Sequence, residues 1–178
     1  QFFQGIGPGY VQSVVFRKGF YSGKTIPHIA VYRFSIDFHR VISSFGEYSL
    51  LLQLTDLVLL DIKEFNPARH QALTGRSNEQ TIRTAAWLEE QEKPFWLRYV
   101  LVPGYSDFEE DIRALGEALG KYKMIQRVEI LPYHTLGVHK YEAMGQEYKM
   151  KGVKENTPEQ LEKAAEVFKE YFTTVVVN

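Results

Sequence analysis

From residue 55 onward, apolar runs of strand length alternate with stretches that carry their own helix start and stop signals. That alternation constrains the fold more than any other feature of the chain. Leu57 to Asp61 is a continuous apolar run ending in charge, as a strand buried on both faces should read. Pro67 to Leu73 suits a short helix that ends near Gly75. Ser77 or Asn78 can cap a helix over Glu79 to Gln91, which Pro94 stops. Phe95 to Val102 reads as a strand closed by Pro103-Gly104. Ser106 and Glu109 have the spacing of a capping box, opening a helix with an apolar stripe of Phe108, Ile112, Leu115 and Leu119. Arg127 to Pro132 is the third strand. Thr157, Pro158 and Gln160 supply a cap, a first-turn proline and a reciprocal partner for a helix that buries Leu161, Ala164, Ala165, Phe168 and Phe172. Thr173 to Val177 closes the chain as a β-branched strand. Strand–helix–strand units at this spacing predict right-handed crossovers and a parallel sheet, hence an α/β fold. A barrel or partial barrel is favoured over an open doubly wound sheet, because no glycine-rich phosphate turn follows any strand.

The chain divides near residue 54. Residues 1–54 form a poorly legible amino-terminal segment, and residues 55–178 form the regular part. Before the boundary, His28 to Phe34 could be a strand and Glu47 to Leu54 a turn of helix. Gln1 to Lys24 scatters Gly, Phe and Tyr without a sustained period.

Composition narrows the partners. A net charge of −1 leaves no basic footprint for nucleic acid and no polybasic membrane patch. No apolar run approaches the roughly 20 residues of a membrane span, and no signal peptide is visible. A cytoplasmic setting is therefore expected. The absence of cysteine excludes disulfides, thiolate metal sites and a cysteine nucleophile. A start at Gln1 without methionine fits a fragment or a processed chain.

Strand alternation puts Leu57, Leu59, Asp61 and Lys63 on one side, with the charged pair at the carboxyl end. In a parallel barrel, those ends form the active-site face. Asp61 and Lys63 are then either an ion pair at a solvated strand end or a grip for a polar ligand. Arg98 shares a side with Trp96, Val100 and Val102 and must find partners, since an unpaired buried charge is prohibitively costly. Glu129 on the neighbouring strand could neutralise it. Alternatively, its five-donor fork could clamp an anion or a peptide carbonyl. His134 follows Val128, Ile130 and Pro132 in period two, as either a hydrogen-bonded packing residue or a ligand-facing group. Three strand ends carrying Asp/Lys, Arg and His are expected to converge on one face. A metal held by His134, His139 and His70 is weakly indicated, because their spacing matches no helical pair. Tyr133 and Tyr148 read as packing aromatics.

The strings TDLVLLDIK, LTGRSN, RYVLVPGYSD and LPYHTLGVHKYEAMGQEYKMKGV closely resemble the pyruvate formate-lyase activating enzymes. The resemblance spans Glu47 to Asn178. It implies the carboxyl-terminal portion of a radical S-adenosylmethionine (β/α)6 barrel. It also implies a parent activity in which a [4Fe-4S] cluster reductively cleaves S-adenosylmethionine, and the resulting radical takes a glycine hydrogen from pyruvate formate-lyase or another glycyl-radical enzyme. By the same resemblance Asp61, Lys63 and His134 would contact S-adenosylmethionine, and Arg98 would face the partner's peptide. The family's CxxxCxxC loop is absent, and so are the three thiolates that hold the cluster. Its GGEP stretch has only a blurred counterpart in Gln4-Gly5-Ile6-Gly7-Pro8. Its DTxG stretch should fall near Tyr32 to Ser35, where the acidic residue is missing. The resemblance therefore implies a scaffold and part of a cofactor site without the cluster; the alternative is a non-catalytic module that binds S-adenosylmethionine or the partner.

Overall fold

The computed structural model describes residues 57–135, 150 and 152–178, together with the backbone of short strands between residues 14 and 32. The elements run β1 (Val14–Arg17), β2 (Phe20–Tyr21), β3 (Lys24–Thr25), β4 (Ala30–Tyr32), β5 (Leu57–Ile62), α1 (Pro67–Thr74), α2 (Glu79–Glu90), β6 (Phe95–Leu101), α3 (Glu109–Leu119), β7 (Ile125–Pro132), α4 (Pro158–Lys169) and β8 (Val175–Val177). Six strands form one sheet in the order β4-β1-β5-β6-β7-β8. The run β5-β6-β7-β8 is parallel, as the alternation predicts, and β1 joins it antiparallel to both β5 and β4. β2 and β3 make a separate two-stranded ladder. The strand expected at His28 to Phe34 appears as the shorter β4. The helical turn expected at Glu47 to Leu54 lies outside the described residues.

Alternation assigns the two faces of the parallel strands. Val58, Leu60 and Ile62 of β5, Leu97, Tyr99 and Leu101 of β6, and Val128 and Ile130 of β7 form one apolar face. Leu88 of α2, Ile112 and Leu115 of α3, and Ala164 and Phe168 of α4 pack with it into a single core. The Tyr99 and Phe168 rings meet edge-on, with centroids 5.4 Å apart. A smaller apolar cluster joins Leu73, Val102, Tyr133 and Met150, bridging α1 to the carboxyl ends of β6 and β7. Tyr133 is thus the packing aromatic expected of it; Tyr148 lies outside the described residues.

The helix signals have mixed outcomes. Asn66 caps α1 by accepting from the Ala68 and Arg69 amides, Pro67 starts it, and Gly75 at φ 77° ends it. Thr157 and Gln160 form the full reciprocal box at the start of α4. Asn78 stands at the start of α2 without a side-chain cap. Its amide is spent on the carbonyls of Glu64 and Phe65 (3.2 and 2.6 Å), while Ser77 Oγ accepts from the Glu79 amide at 3.2 Å. The Ser106–Glu109 capping box is corrected outright. Phe108 occupies the cap position of α3 with no side-chain bond. Ser106 is buried and closes the turn after β6, donating to the Val100 carbonyl (2.7 Å) and accepting from the Val102 amide (2.8 Å). A hydroxyl that can satisfy two backbone groups of a buried strand end gains more there than at an exposed helix start.

Candidate functional site

The face opposite the helices carries charge. Register places Asp61 beside Arg98 and Arg98 beside Glu129, so three charged side chains of alternating sign occupy one rung across β5, β6 and β7. Lys63 Nζ reaches Asp61 Oδ2 at 3.2 Å, and Arg98 Nη1 approaches Asp61 Oδ1 at 3.4 Å. Arg98 Nε lies 3.8 Å from Glu129 Oε2, the pairing anticipated as the bland alternative. Arg127, one rung earlier, reaches Glu129 Oε1 at 3.2 Å and lies over the Trp96 ring at 4.0 Å. The row therefore reads Lys63, Asp61, Arg98, Glu129, Arg127, every charge facing its opposite.

Burial gives this row its cost and its capacity. The Asp61 side chain is only 1% exposed and that of Arg98 13%. Asp61 Oδ1 and Arg98 Nε are both buried with no hydrogen-bond partner among the described residues, although each lies within ion-pair distance of an opposite charge. Buried polar atoms in that condition are uncommon and leave hydrogen-bonding capacity for a ligand. The Lys63 ammonium and the Asp61 carboxylate, 3.2 Å apart, put a donor and an acceptor side by side at the strand end.

His134 is placed differently. Val128 and Ile130 belong to the helix-covered face, so their alternation does not lead onto the face of Asp61 and Arg98. His134 stands beyond the end of β7, its side chain 44% exposed, with Nδ1 3.7 Å from Glu155 Oε1. That segment is tied down by Asn156 Oδ1, which accepts from the Tyr133 amide at 2.8 Å, and by Glu155, which accepts from the Thr135 amide at 3.3 Å. His70 is buried in α1, its Nδ1 2.8 Å from the Arg76 carbonyl, and burial lowers its proton affinity. His139 lies outside the described residues. Among the described residues no group of three or more His, Asp or Glu is disposed to hold a metal, and no helix is long and apolar enough to cross a membrane.

Sequence reasoning missed Glu64, the residue after Lys63. It is fully buried beneath the β5–α1 turn. Its Oε1 accepts from the amides of Phe65 (2.5 Å) and Asn66 (2.9 Å), and its Oε2 lies 3.5 Å from the Tyr99 hydroxyl. Desolvation, helped by the nearby Asp111 carboxylate, raises its pKa from 4.5 to about 7 against the opposing pull of the amides and Arg69. Asp111 is itself held by Arg69, which also reaches Glu110 at 3.1 Å and stacks on Phe108 at 3.8 Å. A charged residue just past a strand end gives no sign of whether it turns outward or in.

The fold and its charged inner row define an α/β chain built as a partial parallel (β/α) barrel with a candidate polar-ligand site at its strand ends. The chain matches no protein-family model. It is 45% identical over 130 residues to the pyruvate formate-lyase-activating enzyme of Streptococcus mutans serotype c, covering 70% of this chain and 49% of that protein. It is 43% identical over 121 residues to the pyruvate formate-lyase 1-activating enzyme of Escherichia coli K12, covering 68% of this chain and 49% of that protein. Among solved structures, a domain of pyruvate-formate lyase-activating enzyme from Bacteroides vulgatus shares the fold, with a TM-score of 0.60, 18% identity, and coverage of 73% of this chain and 71% of that one. The chain is therefore a relative of the pyruvate formate-lyase activating enzymes, and it spans about half the length of the curated relatives it matches.

Proposed function

We propose that residues 55–178 are the carboxyl-terminal half of a glycyl-radical activating enzyme, retaining part of an S-adenosylmethionine site and part of a partner-docking surface. Asp61 accepts from the cofactor's donor groups, Lys63 pairs with its carboxylate or a hydroxyl, and His134 closes the site from the end of β7. Arg98, held by Asp61 on one side and Glu129 on the other, presents its guanidinium to the peptide of pyruvate formate-lyase or another glycyl-radical enzyme. Bound beside a reducing cluster, S-adenosylmethionine would supply the radical chemistry that removes a glycine hydrogen. The residues of this chain do not fit a [4Fe-4S] cluster, because none is a cysteine. This chain's share of the reaction is binding and orientation, in a cytoplasmic setting.

One observation supports this reading: Asp61, Lys63 and Arg98 share one ion-pair row, and two of its buried atoms have no hydrogen-bond partner among the described residues. The alternative, a non-catalytic module that binds S-adenosylmethionine or the partner, draws on the same row. Calorimetric titration with S-adenosylmethionine tests the shared premise. Saturable binding that weakens at least tenfold in Asp61→Ala supports it, and heat indistinguishable from dilution rejects it. Anaerobic iron–sulfur reconstitution then asks whether the chain is an enzyme in its own right: stoichiometric, reducible iron would favour an enzyme with unexpected ligands, and its absence would favour the fragment or the module.

A further inference from the structure

The hydroxyl of Tyr99 has one hydrogen and faces two acceptors. It lies 2.9 Å from the Ser106 carbonyl and 3.5 Å from Glu64 Oε2. The shorter contact takes the hydrogen. The phenol oxygen and Glu64 Oε2 then face each other in a fully buried space, and two acceptors are compatible there only if one carries a proton. Glu64 is the group placed to carry it. Its Oε1 is already committed to the Phe65 and Asn66 amides, which leaves Oε2 as the protonated oxygen. The resulting chain runs from the β5–α1 turn through Glu64 and Tyr99 to Ser106. Ser106 in turn closes the β6–α3 turn through its bonds to Val100 and Val102.

We propose that Glu64 is a positioning residue which, as the neutral acid, braces the β5–α1 turn against the β6–α3 turn through Tyr99, and which releases that brace on ionisation. The turns follow Asp61-Lys63 on β5 and Arg98 on β6, so the brace sets the spacing of the strand ends that bear the candidate site. Only its relevance to a ligand rests on the function proposed above.

Charged and titratable groups near Glu64 come, among the described residues, from each element packed around it. From its own strand end come Asp61 and Lys63, which pair with each other. From α1 come Arg69, which is paired with Asp111 and Glu110, and His70, whose proton affinity burial lowers. From β6 comes Tyr99, whose own ionisation is pushed up by burial and by Glu64. From the β6–α3 turn and α3 come Asp107, which accepts from the Gly104 amide at 2.7 Å, and Asp111. The raised proton affinity of Glu64 places its own step near neutrality.

The test is a pH titration of the chain, without S-adenosylmethionine, from about pH 5 to about pH 8.5, following Glu side-chain carboxyl carbons and backbone amides by NMR. The Glu64 carboxyl signal should titrate near neutrality. The amides of Phe65 and Asn66 and those of Gly104 to Ser106 should move with the same midpoint. Glu64→Gln should abolish that shared step in both turns. Tyr99→Phe should leave the step at residues 65 and 66 and remove it from residues 104–106. A Glu64 carboxyl ionised throughout the range, or a β6–α3 turn that does not follow its midpoint, overturns the proposal. Should Glu64→Gln fail to fold, the unmodified chain and Tyr99→Phe still decide it. With no ligand in the sample, failure to bind S-adenosylmethionine and failure of the brace are separate results.

Discussion

Arg98 stands directly across one rung of parallel sheet from Asp61, with its Nη1 3.4 Å from Oδ1 of a carboxylate that is almost wholly buried. Neither charge would be stable there alone. The pair persists because Lys63 completes the neutralisation of Asp61 from the strand end and Glu129 that of Arg98 from the next strand.

The first prediction concerns that mutual dependence. Arg98→Met leaves Asp61 buried with only Lys63 opposite, and breaking a pair of this kind costs about 3 kcal/mol. Asp61→Asn should cost less, because the amide keeps the shape and loses the charge. The double variant should be more stable than the sum of the two singles implies, by at least about 1 kcal/mol. Urea unfolding of the four chains measures this. Strict additivity would show that the two side chains do not interact.

The second concerns pH. The folded pKa of Glu64, about 7, lies above the ordinary value of 4.5, so the folded state holds the proton more tightly than the unfolded state. The stability this confers is fully present below pH 4.5 and is lost as pH rises through about 7. A shift of this size corresponds to about 3 kcal/mol. Unfolding free energies measured across that window should fall for the unmodified chain. They should stay comparatively flat in Glu64→Gln, and a slope shared by both chains would assign the effect elsewhere.

The third concerns helix packing. A Cβ added at Gly116 of α3 would stand 2.3 Å from a ring carbon of Tyr171, just past the end of α4. Alanine is the better helix former by about 1 kcal/mol, but moving a half-buried ring from its seat costs about 1–3 kcal/mol. Gly116→Ala should therefore lower the melting temperature, and Tyr171→Ala should suppress the difference between glycine and alanine at position 116. A melting temperature raised by Gly116→Ala alone would mean that the ring moves freely.

How much of this was legible depended on whether a signal was local. The start of α4 is spelled out within four residues by Thr157, Pro158 and Gln160, and the start and end of α1 by Pro67 and Gly75. The parallel order followed from strand–helix alternation, and the Arg98–Glu129 contact followed from that order. Ser106 misled because a hydroxyl near a helix start can as readily close the preceding turn, and only the path of the chain through Phe108 decides which. Glu64 was invisible because its environment comes from Tyr99, 35 residues away. His134 was read by extending the alternation of β7, yet the strand ends at Pro132 and the chain beyond it follows Asn156 and Glu155. The short β1 escaped notice because Val14 to Arg17 sits in a stretch with no sustained period.

The claim at the centre of this account is that the carboxyl ends of β5, β6 and β7 form an S-adenosylmethionine half-site. Its most direct test is mapping amide chemical-shift changes as S-adenosylmethionine is titrated into the isotopically labelled chain. The account predicts saturable changes concentrated at Asp61 to Asn66, Val102 to Ser106 and Tyr133 to Thr135, greatly reduced in Asp61→Ala. Changes confined to the helix-covered face, or none at saturating cofactor, would contradict it.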